Sequence, residues 1–573
     1  MMGLGCLLAA TACVAQLASA LAPAFAPLSV RNLRLSSESD LALEPEGDFT
    51  IQESTDPTLL YPARTIKVPV DHFHNDTKYE PHTNDTFDLR YWFDATYYKK
   101  GGPVIVLAAG ETSGVGRLQF LQKGIVYQLA KATGGVGVIL EHRYYGKSLP
   151  TSDFSTKNLR FLTTDQALAD TVYFAKNVKF AGLEHLDLTA PNTPYIAYGG
   201  SYAGAFVAFL RKLYPDVYWG AISSSGVTEA IYDYWQYYEA ARIYGPKDCV
   251  TATQKLTHVV DNIILNKANA KYVQKLKDTF GLGNLTHTDD FANTISFGIA
   301  GLQSTNWDPA LNDTSYGEYC NNVSSNALLY PETARLEKDV QELLTVGGYG
   351  KEVKTLTNQF LNYIGYVNVT QVQSCDGDQN ACFTSYDSDF YKKDDLKQSW
   401  RLWLYQVCDQ WGFLQTGSGV PHNQLPLISR AIDLNYTSIA CREAFNINKP
   451  SDVESINKYG GFGISYPRLA IIDGEKDPWR AATPHAIGLK DRKSTISEPF
   501  ILIKDGVHHW DENGLFPNET APNFPPKPVE ETQRAIKNFV QAWLQDFKKE
   551  KSGHGHGHGS AGVHDEQQVL GDL

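Results

Sequence analysis

The sequence has few basic residues and no block of them. Lysine and arginine number 51 against 64 aspartates and glutamates, which gives a formal net charge of −13 at pH 7. Proteins that bind nucleic acid concentrate basic side chains on one face or in runs. We therefore expect no nucleic acid among the partners of this chain. Hydrophobic residues make up 42% of the sequence, a fraction typical of a globular protein rather than a disordered one.

Long apolar runs are missing except at the N-terminus. Residues 4–21 are mostly apolar and end in a small-residue cleavage motif, which is typical of a secretory signal peptide. We assign residues 1–20 to this signal and residues 21–62 to a polar N-terminal segment that is a candidate pro-segment. Because a basic n-region is missing, a membrane anchor is the alternative. No other stretch reaches the roughly 20 apolar residues of a span, so we expect no membrane span after signal removal.

Cysteine is scarce, and no Cys-x-x-Cys pair occurs, which argues against a zinc site. Two cysteines, Cys6 and Cys13, lie in the signal peptide, and six remain. An even number in an exported chain favours disulfides, although the sequence permits many pairings. We expect pairing in chain order and predict neither a metal site nor a cofactor. The expected pairs are Cys249–Cys320, Cys375–Cys382 and Cys408–Cys441.

Sequons for N-glycosylation support export, because they are more numerous than an intracellular chain needs. Together with the signal peptide they predict a secreted or extracellular protein, or a vacuolar or lysosomal one that travels the secretory pathway. The candidate glycosylation sites are Asn75, Asn84, Asn284, Asn312, Asn322, Asn368, Asn435 and Asn518.

Strand and helix patterns alternate over the first half of the chain. Short apolar runs at 103–107 and 136–140 are typical of buried parallel strands, and a capping box at 163–166 predicts a helix to about residue 178. A β-rich run at 195–198 and a helix-compatible run at 203–214 continue the alternation. This pattern predicts an α/β fold with a doubly wound sheet.

The alternation stops near residue 228 and resumes near residue 456, so we predict three folded parts. Residues 63–227 and 456–549 form the α/β domain, and residues 228–455 form a large helical cap inserted into it. Segments 231–243 and 253–277 of the cap are helix-compatible. Residues 550–573 are predicted to be a disordered tail with Gly-His repeats at His554, His556 and His558, for which weak metal binding is the alternative.

The most informative stretch is the turn at 199–204. Ser201 has glycine two residues before it, one residue before it and three residues after it, between a strand pattern and a helix pattern. This resembles a nucleophile elbow, in which the serine sits on a strained strand-to-helix turn. Ala203 stands where the strict motif has glycine, and a glycine-rich turn without catalytic function is the alternative.

A serine nucleophile needs a base and an acid that orients the base. In sheets of this type they follow late strands, in the order Ser, Asp, His. The strand pattern ending at 472 leads into Asp473, Glu475 and Asp477, and the one ending at 503 leads into His508 and His509. From the residues, each of these three acids and either histidine is a candidate.

Six motifs occur in order along the chain, at residues 70–73, 141–150, 162–170, 199–204, 477–479 and 506–509. Together they resemble the family of serine peptidases that contains lysosomal Pro-X carboxypeptidase, dipeptidyl peptidase II and fungal acid prolyl endopeptidases. The resemblance covers residues 66–547 and implies an α/β-hydrolase fold. Two positions depart from the family pattern: Ala203 replaces a frequent glycine and Lys147 a frequent acidic residue.

By position, the resemblance implies Ser201 as nucleophile, Asp477 as orienting acid and His508 as general base. The N–H groups of Tyr202 and Glu111 are the expected donors to the oxyanion. The resemblance also implies an apolar pocket for proline beneath the cap. The candidates to line this pocket are Trp411, Phe413, Trp479 and Trp510.

Three functions are compatible with these residues. The first is a secreted or vacuolar serine peptidase that forms an acyl-enzyme on Ser201 and cleaves after proline, as a carboxypeptidase, dipeptidyl peptidase or endopeptidase. The second is a lipase or esterase on the same fold, since a fold does not fix a function. The third is a non-catalytic, hydrolase-like binding protein. A peptide or protein is the expected partner, and a homodimer is compatible with the sequence.

Overall fold

The computed structural model describes Leu33, Arg34 and residues 56–553. The predicted signal peptide, most of the N-terminal segment and the Gly-His repeats lie outside these residues. Eight of the strands form one sheet in the order β1-β2-β4-β3-β5-β6-β9-β10, and β7 pairs with β8. The strands are β1 Arg64–Pro69, β2 Thr86–Asp94, β3 Val104–Ala108, β4 Val136–Leu140, β5 Tyr195–Gly200, β6 Tyr218–Ser224, β7 Ile231–Asp233, β8 Gly412–Leu414, β9 Leu469–Gly474 and β10 Phe500–Ile503.

The main sheet is parallel except at β2. That strand runs antiparallel to β1 and to β4, whereas the remaining pairs from β4 to β10 are parallel. A mostly parallel sheet with crossover helices confirms the predicted α/β-hydrolase architecture.

Both faces of the sheet are buried at its central strands, from β4 to β9 in the sheet order, as the continuous apolar strands predict. Successive residues of a strand point to opposite faces, and Val104 and Val106 accordingly belong to one core cluster while Ile105 and Leu107 belong to the other. The first cluster continues through the cap, and the second packs against the C-terminal helix. The sheet is therefore enclosed between two hydrophobic layers.

The helices fall into three groups along the chain. The first group accompanies the first six strands, the second lies between β6 and β9, and a single long helix follows β10. No helix among the described residues is both long and apolar enough to cross a membrane. The helices are α1 Pro57–Leu60, α2 Gln119–Gln122, α3 Ile125–Thr133, α4 Thr156–Leu159, α5 Thr164–Asn177, α6 Tyr202–Leu213; α7 Glu239–Tyr244, α8 Lys247–Ile264, α9 Val273–Thr279, α10 Thr288–Ile295, α11 Ser315–Ser324, α12 Glu337–Leu344, α13 Val353–Thr370, α14 Gln379–Phe383, α15 Ser388–Tyr391, α16 Trp400–Gln406, α17 Leu434–Thr437, α18 Ile439–Phe445, α19 Glu454–Asn457; and α20 Lys527–Gly553.

The segment between β6 and β9 is mainly helical and, among the described residues, adds no strand to the main sheet. The prediction of a helix over 231–243 was wrong at its start, because Ile231–Asp233 forms β7 and pairs with β8 about 180 positions away. Sequence periodicity does not predict pairing with such a distant strand. The domain boundaries at 227 and 455 stay predictions.

Two further elements differ from the predicted ones. The sequence at 118–131, between β3 and β4, predicts one helix, but the structure divides it into α2 and α3 at Gly124, where a Cβ would lie 2.8 Å from the carbonyl oxygen of Glu512. The C-terminal helix continues to Gly553, past the predicted start of the tail at 550.

The predicted capping box at the start of α5 is half formed. The Thr163 hydroxyl accepts a hydrogen bond from the Gln166 N–H at 3.3 Å. The Gln166 side chain, however, donates to Asp71 and accepts from the His72 N–H, each at 2.9 Å. It therefore connects α5 to the loop after β1.

The C-terminal helix closes one face of the sheet at a glycine. Trp543 of α20 is buried and its ring lies over Gly220 of β6, where a Cβ would come within 2.6 Å of the ring. We expect Gly220→Ala to reduce the free energy of unfolding by about 1–3 kcal/mol, because the tryptophan must move out of a packed core. Urea unfolding followed by tryptophan fluorescence measures this change.

A matched control is Gly317→Ala in α11, since a Cβ there meets nothing within 4 Å. Alanine favours helix by up to about 1 kcal/mol over glycine, so this variant should be as stable as the parent or more stable. Equal stability of Gly220→Ala and the parent would contradict the tight packing of α20.

Candidate active site

The three candidate catalytic residues follow three strands of the main sheet. Ser201 comes directly after β5, Asp477 shortly after β9 and His508 shortly after β10. These strands are parallel, and only β6 separates β5 from β9 in the sheet. Carboxyl ends of parallel strands meet at one edge of a sheet. The fold thus brings residues that are distant in sequence to the same edge.

Ser201 occupies a sharp turn between β5 and α6. Its φ of 59° and ψ of −125° lie in a region that side-chain-bearing residues rarely adopt. The neighbours have to be small: a Cβ on Gly199 would lie 2.1 Å from the carbonyl oxygen of Ala203, and one on Gly204 would lie 2.8 Å from the Gly226 Cα. This is the geometry of a nucleophile elbow.

Asp477 and His508 form a buried pair. The Asp477 Oδ2 and His508 Nδ1 atoms are 2.8 Å apart, and Asp477 Oδ1 accepts the Trp479 N–H at 2.8 Å. Burial raises the pKa of the Asp477 carboxyl, but the adjacent His508 ring and these hydrogen bonds outweigh it, so the pKa lies below its ordinary value. The carboxylate is therefore ionised and fixes the orientation of the imidazole.

The second ring nitrogen of His508 is available for chemistry. Its Nε2 atom is buried and has no hydrogen-bond partner within the described part of the chain, so no hydrogen bond to the Ser201 hydroxyl is formed. Catalytic hydrogen bonds of this kind are often long in the resting enzyme and shorten with substrate. A base with one nitrogen held by a carboxylate and the other unpaired can accept a proton.

The competing acids have other partners. Asp473 lies 2.6 Å from the His485 Nδ1 atom through its Oδ2, and both side chains are buried. Glu475 accepts the Asp505 N–H at 3.0 Å. Of the three candidate acids, Asp477 is the one in contact with a candidate base.

His509, the second histidine, is held by different groups. Its Nδ1 atom is 3.2 Å from Glu512 Oε2, and its N–H donates to the Ser225 hydroxyl at 3.0 Å. Burial and the neighbouring His508 lower the pKa of the His509 ring. The ring lies against Gly200, where a Cβ would be 3.3 Å from it. His509 therefore packs behind the elbow.

The predicted oxyanion donors lie where the elbow meets the loop after β3. Tyr202 begins α6, and the first N–H groups of a helix have no acceptor within it. A Cβ on Gly110, which precedes Glu111, would lie 3.3 Å from the Ala203 Cβ, so the loop contacts the start of α6. Burial raises the pKa of the Glu111 carboxyl.

Glu141 holds the loop after β3 in place by hydrogen bonds. Its Oε1 atom accepts the Gly114 N–H at 2.9 Å and the Arg90 Nη2 at 2.6 Å, and its Oε2 atom accepts the Ser148 hydroxyl at 2.6 Å. The Glu141 carboxylate is fully buried and paired with arginine. This part of the 141–150 motif therefore positions the loop.

The four candidate pocket residues are divided between two places. Trp411, Phe413 and Trp479 are buried with Tyr234 in one aromatic cluster, in which Trp479 stacks on Tyr234 at 5.1 Å. Trp510 lies after His509 and donates its ring N–H to the cap carbonyl of Thr305 at 2.9 Å. Trp411 also contacts the ring of Tyr202 at 5.1 Å, which brings the cluster to the elbow.

The cap directly supports the acid loop, which is the loop after β9 that carries Asp477. Tyr234 donates its hydroxyl to the carbonyl of Pro478 at 3.0 Å. Gln303 accepts hydrogen bonds from the Tyr237 hydroxyl and from the Trp479 ring N–H, both at 2.8 Å. The residues directly after Asp477 are thus held by the cap rather than by the sheet.

Sequence reasoning missed the residues at the end of β6. Ser224 accepts the Ser201 N–H at 2.9 Å through its carbonyl, and its hydroxyl donates to Asp511 at 2.5 Å. The Ser225 hydroxyl lowers the pKa of Asp477 by hydrogen bonding. The available signal was the run of serines at 223–225, at the carboxyl end of a buried strand, where the sites of parallel sheets form.

All six described cysteines are paired in chain order, as expected. The bonds are Cys249–Cys320, Cys375–Cys382 and Cys408–Cys441, all within the segment between β6 and β9. Of the eight candidate glycosylation sites, none has a buried asparagine.

One group within the described residues has the chemistry of a metal site, and it is not at the elbow. Asp71, His74 and His82 lie in the loop between β1 and β2, with potential ligand atoms within 4.8 Å of one another. The sequence-based expectation of no metal site did not consider these residues.

The choice between the acids is testable. We expect Asp477→Asn to lower kcat by about 10⁴-fold, because the imidazole loses the carboxylate that selects its tautomer. Asp473→Asn breaks a contact with His485 that does not involve His508, so it should change stability more than kcat. Steady-state kinetics and thermal unfolding of both variants measure the difference. The reverse ranking of kcat would assign the orienting role to Asp473.

Stability should depend on pH through Asp511. Burial raises the pKa of this carboxyl from 3.8 to about 6, although the Ser224 and Tyr198 hydroxyls donate to it. The folded protein therefore keeps a proton that the unfolded chain releases, so this stabilisation is complete below the ordinary pKa and is lost as the pH rises through about 6. The loss amounts to at most about 3 kcal/mol.

The matching variant is Asp511→Asn, which cannot ionise. Between about pH 4 and about pH 7, the parent should lose stability relative to this variant in urea unfolding. Asp389→Asn, at a side chain that is 93% exposed, serves as control and should keep the parent's pH dependence. An unchanged pH dependence in Asp511→Asn would contradict the assignment.

The comparisons with known proteins agree with this geometry. A family model described as serine carboxypeptidase S28 matches residues 69–522. A protein of Arthroderma benhamiae, named probable extracellular serine carboxypeptidase, is 53% identical over 538 residues, which cover 93% of this chain and 74% of the relative.

More distant relatives are also serine proteases by name. Serine protease vicPa of Bipolaris victoriae is 29% identical over 496 residues, covering 82% of this chain and 88% of the relative. The human thymus-specific serine protease is 25% identical over 447 residues, covering 74% and 78%. The family match spans Ser201, Asp477 and His508, and with it the chain belongs to the serine carboxypeptidase S28 family.

Proposed function

We propose that this protein is a serine carboxypeptidase that cleaves after proline and forms an acyl-enzyme on Ser201. The observation that carries the proposal is the Asp477–His508 pair, with an unpaired imidazole Nε2, on the same sheet edge as a serine in an elbow. Family membership and the name of the Arthroderma relative support the reaction class.

The first half of the proposed reaction forms the acyl-enzyme. The Ser201 oxygen attacks the carbonyl carbon of the scissile peptide bond, and its proton passes to His508 Nε2. The C–N bond then breaks as the same proton moves to the leaving nitrogen, which departs as an amine. Asp477 stays ionised throughout and stabilises the imidazolium, as its lowered pKa favours.

The second half releases the product. Water gives a proton to His508 Nε2 while its oxygen attacks the acyl carbon, and the proton returns to Ser201 as the ester bond breaks. In both halves the oxyanion takes hydrogen bonds from the N–H groups of Tyr202 and Glu111. Each such donor contributes about 3–4 kcal/mol to transition-state stabilisation.

We assign proline specificity to the aromatic cluster of Trp411, Phe413, Trp479 and Tyr234. A pyrrolidine ring is apolar and compact, and it packs well on aromatic faces. The contact of Trp411 with Tyr202 places the cluster beside the elbow, and contact between Trp479 and the cap joins it to the acid loop. Trp510 is assigned to the mouth of the site on the cap side.

We further propose that the protein acts outside the cell. Support comes from the predicted signal peptide, from eight sequons without a buried asparagine, from three disulfides and from the extracellular designation of the Arthroderma relative. Disulfides persist in oxidising surroundings.

The test compares the parent with Ser201→Ala on a peptide whose penultimate residue is proline. The parent should release the C-terminal residue, and Ser201→Ala should be slower by about 10⁶-fold while unfolding at the same temperature. Amidation of the C-terminus should abolish cleavage, whereas acetylation of the N-terminus should not. Mass spectrometry of the products identifies the bond that is cut.

Two further substrates separate the alternatives. A peptide with alanine in place of the proline tests specificity and should be cleaved more slowly. A short-chain ester tests the lipase or esterase alternative, which a preference for the ester without peptide cleavage would support. Undiminished peptide turnover by Ser201→Ala would overturn the catalytic assignment.

A further inference from the structure

The loop between β1 and β2 carries three potential metal ligands at one point. Asp71, His74 and His82 present oxygen and nitrogen atoms that all lie within 4.8 Å of one another. The loop follows β1, which is four positions from β5 in the sheet order, so these two strands lie roughly 19 Å apart at ~4.8 Å per strand. It is therefore separate from the proposed active site.

Asp71 is the fixed member of the group. Its carboxylate is fully buried, and its Oδ1 atom accepts the Phe73 N–H and the Gln166 Nε2, each at 2.9 Å. The carboxylate is thus oriented by two donors on one oxygen and directed towards His82 with the other.

His82 meets that second oxygen. Its Nδ1 atom is 2.7 Å from Asp71 Oδ2, and its side chain is 24% exposed. A proton shared between a carboxylate and an imidazole occupies the place that a metal ion takes when both groups are ligands. Four tetrahedral ligands at about 2.0–2.2 Å from an ion lie about 3.4 Å apart, so this pair has to open by less than 1 Å.

His74 supplies the third ligand from the solvent side. It is exposed, makes no hydrogen bond within residues 56–553, and stacks on His82 with ring centroids 5.4 Å apart and planes at 24°. Its rotation costs little, because the side chain is exposed and has no hydrogen bond to break. The remaining histidine of the loop, His72, is not available, since it is 2.7 Å from Asp170.

We propose that Asp71, His74 and His82 form a binding site for a divalent transition-metal ion of the zinc class. Two imidazoles and one carboxylate suit zinc, copper or nickel, whereas magnesium and calcium prefer sites built from oxygen. The hydrogen bonds from Phe73 and Gln166 to the carboxylate act as the outer support that orients a ligand.

Metal binding at this point has a structural consequence. Gln166 belongs to α5, so an ion held by the loop and oriented through Gln166 connects the loop to that helix. An ion that binds the folded chain stabilises it by mass action.

The experiment measures zinc binding by equilibrium dialysis of the full-length chain. The tail histidines His554, His556, His558 and His564 are replaced by alanine in every protein, since they compete for the ion. The parent of this series should bind one zinc ion. His74→Ala and His82→Ala should each bind it about 10- to 100-fold more weakly, and zinc should raise the unfolding temperature of these two variants less than that of the parent.

The matched control is His185→Ala, which removes an exposed histidine outside the loop and should bind zinc as the parent does. His74→Ala is the decisive variant, because its exposed side chain has no hydrogen bond whose loss would disturb folding. Equal zinc affinity in His74→Ala and the parent, or no zinc bound by the parent, would overturn the proposal. Peptidase activity of the zinc-free parent is a separate readout and bears only on the proposed function.

Discussion

The site depends on a backbone constraint at Ser201. The serine takes a conformation that costs energy, and the turn closes only because Gly199 and Gly204 leave room for the backbone of α6 and of the loop after β6. Ala203 fits this turn, although the related family more often has glycine there, because the facing residue in the loop after β3 is Gly110, where a Cβ would lie 3.3 Å from the Ala203 Cβ. The glycine thus lets this loop approach the start of α6.

The cap helps to position the proposed catalytic acid as well as the proposed substrate pocket. Tyr234 and Gln303 bind the residues that follow Asp477, and Tyr237 donates a hydrogen bond to Gln303. The position of the acid is therefore set by the sheet on one side and by cap hydrogen bonds on the other. This shared support explains why an insertion of more than two hundred residues between β6 and β9 is compatible with an intact Asp477–His508 pair.

Strands β3, β4, β5, β9 and β10, their order of appearance and the turn at Ser201 could be predicted, because period, apolar content and small residues are local signals. The choice of Asp477 over Asp473 could not be made from the residues, since it depends on which carboxylate meets His485 and which meets His508. The β7–β8 pair and the diversion of Gln166 to Asp71 also depend on distant partners. A local sequence pattern predicts a strand or a turn, but not the distant residues that it contacts.

The disulfides of the described residues are confined to one part of the fold. The three disulfides lie between β6 and β9, and the described strands of the main sheet contain no cysteine. The described strands of the main sheet are thus not cross-linked by disulfides, whereas the cap is. Thiol reductants should therefore destabilise the cap, with its substrate pocket and its contacts to the residues after Asp477, before they destabilise the sheet. Disulfide formation in the secretory pathway should accordingly stabilise the cap rather than the sheet.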